Sequence, residues 1–525
     1  MSTSTTMARI LLTLCFLSCN VFLRSFATSD DFLQCLSQTI PSELVYQQSS
    51  SSFMSVLQSS VQNPKYLTNT TVRPLCIVTA SGIPHVQAAV RCGRAHGVRL
   101  RVRSGGHDYE GLSYRSVQPE VFAVLDLSRV RAVDVRPFEA TAWVDAGATL
   151  GELYYAIGTA SPRLAFPGGA CPTVGVSGYL SGGGIGLMMR RFGIGADNVI
   201  DARIVNAGGE LIDSVASMDQ DLFWAIRGGG GESFGVVVAW RLRLSMVEET
   251  VTVVNLQRTL DEGAAAIVAK WETLILQPYV PDLTIRVVVQ DNHAFFQTLF
   301  LGRCSRLLRT MRAYFPELGM TPADCREMTW LRAMAFIGLN GDANAPPEAL
   351  LNRTNNLGTY VKNKSDYVRR AIGRAGWEGI FREHLSRYGP GLMIMEPHGG
   401  AVPNFATPYP HRQGVLYNIQ YVVFWGGEAD GTAAAAASGW LGGIYGYMEQ
   451  FVTSNPREAF ANYRDLEIGA NVVGGDGVTT YESGRVWGEK YFMGNFRRLA
   501  AVKGRVDPGD YFRNEQSIPP LRQGF

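Results

Sequence analysis

Two glycine-rich loops constrain this chain more than any other feature. The stretch RVRSGGHDYEG places His107 beside Gly105 and Gly106, and PGGACPTVGVSGYLSGGGIG places Cys171 ahead of a run of glycines. Glycine lets backbone approach a large ligand closely and lets successive N–H groups face phosphate oxygens. Each loop carries one nucleophilic side chain, and the pair predicts two tethers to one cofactor.

At 525 residues with 46% hydrophobic content, the chain exceeds what one core usually organises, so two domains are expected. Residues 1–27 read as a secretory leader: Arg9, an apolar run from Ile10 to Leu23, then Ser25 and Ala27 placed for cleavage. The run is short for a bilayer span, and nothing later is long and apolar enough, so no stable membrane insertion is expected. Removing the leader takes Arg9 and Arg24 with no acid, lowering the formal net charge from +2 to 0. A neutral chain is a poor polyanion binder, so no nucleic-acid partner is expected. Sequons at Asn69, Asn352 and Asn363 suit glycosylation of an exported protein. Cys15 and Cys19 leave with the leader; Cys304 and Cys325, separated by a short loop, are expected to bridge in an oxidising compartment. Cys76 sits in the apolar PLCIVTA stretch and reads as a buried, inert thiol.

CIVTA, the amphipathic Ile83 to Gly97 and RLRVRS give a strand, helix, strand rhythm. Further strands at VFAVLDL, TAWVDAG, NVIDARIVNAGG and SFGVVVAWRLRL, with a helix at TLGELYYAIGTA, predict an α/β or α+β first domain, and α+β is the fold class expected of the whole. Beyond Val247 glycine thins out, and the strands TVTVVNLQ, LTIRVVVQ, GLMIMEPHGG and VLYNIQYVVFW predict a mainly antiparallel sheet backed by helices. Gly231-Glu232-Ser233-Phe234-Gly235 fits the GxSxG nucleophile elbow, but a strand follows where the elbow needs a helix. No GxGxxG with a downstream acid, no P-loop, and no HExxH or paired CxxC is present, which disfavours nicotinamide, P-loop nucleotide and zinc sites; no metal is expected. His398 and His411, at turns without metal spacing, read as structural.

The loops at His107 and Cys171, with WGEKYF, YFRNEQSIPP, GGGGESFG, YNIQY and NYRDLEIG, resemble the berberine bridge enzyme-like flavoproteins of plants, which have the vanillyl-alcohol-oxidase type of fold. The likeness runs from about Asp31 to Leu521 and is nearest in look to the secreted grass pollen allergens. It implies an FAD-binding domain over residues 28–246, a substrate domain over 247–454 and a segment over 455–525 returning to the first. It further implies FAD joined to both His107 and Cys171, and a disulfide between Cys35 and Cys92. Arg103, Ser104, Gly105, Gly106, Asp108, Gly175, Ser177 and Asn514 are the remaining expected cofactor contacts.

The resemblance also assigns chemistry. Tyr481 matches the phenol that takes the substrate proton in several members. Tyr109 and Gln420 match monolignol-type sites, whereas Asn418 stands where other members carry a glutamate or lysine, and Ile185 where a second tyrosine occurs. Val174 occupies the family's oxygen gate, where a small residue implies an oxidase. The expected function is a secreted, extracellular or cell-wall monomer that oxidises a carbohydrate-type alcohol and reduces O2 to hydrogen peroxide. The alternatives are monolignol oxidation, oxidative cyclisation of a secondary metabolite, or a catalytically weak flavin-bearing interaction protein, which loss of the charge at Asn418 favours.

Overall fold

In the computed structural model, residues 29–118, 120–275, 280–354, 358–385, 389–399 and 406–522 are described. The leader over 1–27 lies outside them. The strand Cys76–Thr79 is buried along its whole length, as is Phe122–Asp126, and the two run parallel with Ile77 opposite Val124. Apolar, β-branched runs of this kind suit strands covered on both faces. Helix Ile83–Ala95 starts on Pro84 and leads to the strand Arg99–Arg103, parallel to Phe122–Asp126. The strand therefore delivers Ser104 to His107 at its C-terminal end, where α/β sheets hold ligands. A Cys35–Cys92 bridge staples the helical residues 29–37 to this helix, and Cys304–Cys325 closes a second loop. Cys76 is buried and unpaired, and burial pushes its thiol up to about 12.

A five-stranded antiparallel sheet carries Thr141–Asp145, Val236–Arg243 and Val199–Val205 at its centre. Helix Leu150–Ala160 packs on it, begun by a capping box between Thr149 and Glu152. Gly231–Ser233 is a turn entering Val236–Arg243; the Ser233 hydroxyl accepts from the Ile518 amide, so it is no nucleophile elbow. Chain beyond 455 packs back onto these layers: Arg101 pairs with Glu515, and buried Lys503 donates to the Ser233 carbonyl and to Asp507.

The third sheet has seven strands, with neighbours in the order Arg326–Met328, Val251–Thr259, His293–Phe300, Leu283–Gln290, Gly391–Pro397, Tyr417–Trp425, Tyr360–Val368. Alternation divides its faces. Val287, Met395, Ile419 and Tyr421 pack under helices Ala264–Ile275, Gly373–Ile380 and Thr432–Tyr447 with buried Trp271 and Trp377. Arg286, Glu396, Asn418 and Gln420 occupy the opposite parity, and a one-residue slip would exchange the two sets. Asn363, expected to carry a glycan, is 2% exposed in this sheet, and its amide donates to the Arg464 carbonyl. The folded strand leaves no room for a sugar there, whereas Asn69 and Asn352 are exposed.

Candidate active site

The two glycine loops close on each other. A Cβ at Gly105 would lie 2.4 Å from the Gly175 nitrogen, and one at Gly175 would lie 2.4 Å from both Gly105 N and the Ser104 hydroxyl. Gly106 has φ +68, with the Ser60 carbonyl where a Cβ would stand. Only glycine meets both demands. The loops consequently bring their reactive side chains to one hydroxyl: Thr173 Oγ1 lies 2.7 Å from His107 Nε2 and 3.4 Å from Cys171 Sγ. Burial lowers the His107 imidazole to about 4, which keeps it neutral and nucleophilic at ordinary pH. When Nε2–H donates to Thr173, the lone pair is on Nδ1. Cys171 is exposed and unbridged.

Tyr109 extends this site toward the third sheet. Gln420 Nε2 donates to the Tyr109 oxygen at 2.8 Å, leaving the phenol O–H to donate elsewhere. Burial pushes Tyr109 up to about 12, against the hydrogen bond from Gln420, with Cys171 and Arg286 as further electrostatic neighbours. Asn63 ties the same loop to the sheet, donating to the carbonyls of Tyr109 and Val361. Asp108 accepts from the Glu110 amide, and its carboxylate is 2.8 Å from Arg464 Nε. That ion pair locks the His107 loop to the segment carrying Tyr463.

Tyr463 is the residue that sequence reading missed, although NYRDLEIG contains it. Its ring meets Tyr109 edge to face at 6.3 Å and Phe460 at 5.0 Å. Its phenol makes no hydrogen bond to a described residue. Burial raises it well above the usual phenol range, and Glu396 and Tyr109 reinforce the shift. Thr173, Arg286 and Glu396 were also missed, since each becomes part of a site only through strand pairing or loop docking.

Several expected residues do other work. Tyr481 opens helix Tyr481–Phe492, its ring stacks on Phe496 at 5.6 Å, and its charged neighbours are Glu489, Arg497, Glu482 and Arg485. None of these belongs to the His107, Tyr109 and Gln420 cluster, and no described contact joins Tyr481 to it. Arg103 is fully buried, paired with Asp126 and donating to the carbonyls of Val56 and Leu57; it anchors the loop and offers no donor to a ligand. Ser104 donates to the Ala146 carbonyl, and Ser177 accepts from Trp240 Nε1. The Asn514 side chain accepts from the Gln516 amide, a turn role. Val174 is partly buried against the core two residues before Val176–Ser181. Asn418 donates to the Asp366 carbonyl. Among the described residues no group of His, Cys, Asp and Glu is arranged to hold a metal, and no helix is long and apolar enough to cross a membrane.

A backbone cradle that excludes any Cβ, a neutral imidazole and an open thiol on one hydroxyl fit a flavin, and the fold and site together define an FAD-linked oxidoreductase. Comparison with known proteins agrees. Residues 74–214 match the FAD binding domain family, and residues 459–519 the berberine and berberine-like family. The chain is 53% identical over 495 residues to berberine bridge enzyme-like Cyn d 4 of Cynodon dactylon, covering 94% of this chain and 93% of that one. It superposes on the crystal structure of Phl p 4, a grass pollen allergen with glucose dehydrogenase activity, with TM-score 0.91 and 52% identity over 94% of this chain and all of that one. Berberine bridge enzyme from Eschscholzia californica gives 0.87 and 33%, with the same coverage. The chain belongs to the berberine bridge enzyme-like family of FAD oxidoreductases.

Proposed function

We propose that this protein is a secreted oxidase of a carbohydrate-type hydroxyl, tethered to FAD through both His107 and Cys171, with O2 as electron acceptor and hydrogen peroxide as product. The meeting of His107 and Cys171 at Thr173, beside the Tyr109–Gln420 edge, carries this reading. FAD, when bound, supplies the acceptor for the substrate's hydride.

The chain's own residues position the hydroxyl and take its proton. Tyr109, with its oxygen already accepting from Gln420, donates its O–H to the substrate oxygen. Tyr463 accepts the hydroxyl proton in its ionised form, which replaces the role first expected of Tyr481. Burial and Glu396 keep that phenol protonated at neutral pH, so turnover rises with pH. Ile185, Tyr409 and Phe460 form an apolar cluster against Tyr463 that limits water. A valine at 174 leaves room for O2 beside the cofactor.

The carbohydrate assignment is supported by Phl p 4, described as a glucose dehydrogenase, and by its variant with isoleucine replaced by valine, described as a glucose oxidase. Monolignol oxidation is the second reading, favoured by Tyr109 and Gln420 and by 42% identity to a monolignol oxidoreductase of Arabidopsis thaliana. Both disulfides are compatible with export to the cell exterior. Acid denaturation and proteolysis of the purified protein, followed by mass and absorbance measurement, test the tethers: one flavin should join the His107 and Cys171 peptides. Free flavin would refute them. Hydrogen peroxide release with glucose, set against coniferyl alcohol, separates the two substrate readings.

A further inference from the structure

Arg286, Glu396 and Asn418 form a row across three adjacent strands of the third sheet. Glu396 pairs directly opposite Asn418, and Arg286 lies one position beyond the pair Val287 and Met395. All three share the face that carries Gln420, hence the face turned toward Tyr109 and the flavin loops. Partly exposed Arg286 pairs with buried Glu396, with Nε 3.5 Å from Oε1. That separation is too long for a strong hydrogen bond.

The row is unsaturated. Glu396 Oε2 and Asn418 Oδ1 are buried and accept no hydrogen bond from a described residue, and Arg286 Nε donates none. The Asn418 amide cannot be turned to relieve this, because its Nδ2 already donates to the Asp366 carbonyl. Glu396 is 7% exposed and Asn418 fully buried, so two acceptors with open valences stand side by side at a place where an unmade bond costs about 1–3 kcal/mol each. Groups left so in a native fold are satisfied by a water, an ion or a ligand, and here the complementary atoms are donors in adjacent positions. Two neighbouring acceptors match two adjacent hydroxyls of a polyol; a monolignol carries its phenol at the far end of the molecule from its alcohol and cannot present two hydroxyls side by side.

We propose that Glu396 and Asn418 form a polyol subsite, accepting hydrogen bonds from hydroxyls of the substrate other than the one oxidised. The subsite rests on the carbohydrate reading above and deepens it: it places the discrimination between sugars and monohydric alcohols on one strand pair. It also accounts for the amide at Asn418, since a second carboxylate beside Glu396 would repel it, while an amide accepts without adding charge.

The test uses holoenzyme and 1,5-anhydroglucitol, a glucose analogue without the anomeric hydroxyl, with binding followed by calorimetry. Glu396→Gln keeps shape and volume while removing the charge. It should weaken binding about tenfold or more, the loss expected for a charge-assisted hydrogen bond, with flavin absorbance and melting temperature unchanged. Asn418→Ser is the second variant and should weaken binding severalfold by the same assay. Unchanged affinity in both variants overturns the subsite while leaving sugar oxidation by the wild type intact. A wild type that neither binds the analogue nor oxidises any sugar refutes the carbohydrate reading, and the subsite with it.

Discussion

Replacing Tyr463 with Phe separates the proton acceptor proposed above from the one that motif matching favoured. The change removes one oxygen whose hydrogen-bonding capacity no described residue uses. The edge-to-face contacts with Tyr109 at 6.3 Å and Phe460 at 5.0 Å survive in phenylalanine. Stability should therefore stay within about 0.5 kcal/mol of the parent. Catalysis loses a positioned base, worth about 10²- to 10⁴-fold, or roughly 3–5 kcal/mol of barrier. Tyr481→Phe likewise keeps its 5.6 Å stacking on Phe496 and removes a hydroxyl outside the site, so it should leave the rate within about twofold. The assay is stopped-flow bleaching of the flavin by substrate under nitrogen, as a function of pH. Each pH unit below the phenol's raised pKa cuts its ionised fraction tenfold, so the wild-type rate should climb with pH up to that pKa, and Tyr463→Phe should abolish the slope. Full activity with an unchanged slope in Tyr463→Phe, or collapse only in Tyr481→Phe, would refute the assignment.

Four further outcomes are expected. Val174→Leu should slow oxygen-coupled turnover while leaving anaerobic bleaching unchanged, as read by oxygen electrode and stopped flow. Gly175→Ala forces a Cβ to 2.4 Å from Gly105 N and should cost about 1–3 kcal/mol, lowering the melting temperature and the flavin content per chain. Burial opposes ionisation of Glu458, but hydrogen bonds from His411 and Arg369 prevail and hold it near about 2, below its usual 4.5. Its folded pKa is depressed, so the stability it contributes is present above pH 4.5, is lost as pH falls toward 2, and amounts to roughly 3 kcal/mol. Denaturant titration of Glu458→Gln should therefore show a deficit at pH 7 that shrinks in acid. Glycopeptide mass spectrometry of secreted protein should find sugar at Asn69 and Asn352 and unmodified peptide at Asn363, where the amide is buried.

The sequence alone determined what is local. Glycine spacing forecast loops that only glycine can form, and Gly105, Gly106 and Gly175 show the close approaches responsible. Period-two alternation put Asn418 and Gln420 on one face, and the strand after GESFG argued against a hydrolase elbow. Side-chain assignments held only as far as local pattern reached. Arg103 looks like a loop cation until Asp126 and two carbonyls are seen to consume it. Tyr481 and Tyr463 are both tyrosines in family-like motifs; their difference lies in which loop docks beside Tyr109, through the Asp108–Arg464 pair. Gln420 meets Tyr109 across 311 positions, and Glu396 meets Asn418 only because two strands pair in that register. Such contacts depend on packing between distant segments, and no short window of residues encodes them. Tertiary structure alone therefore decided which polar groups face the cofactor site, and which of them still lack partners there.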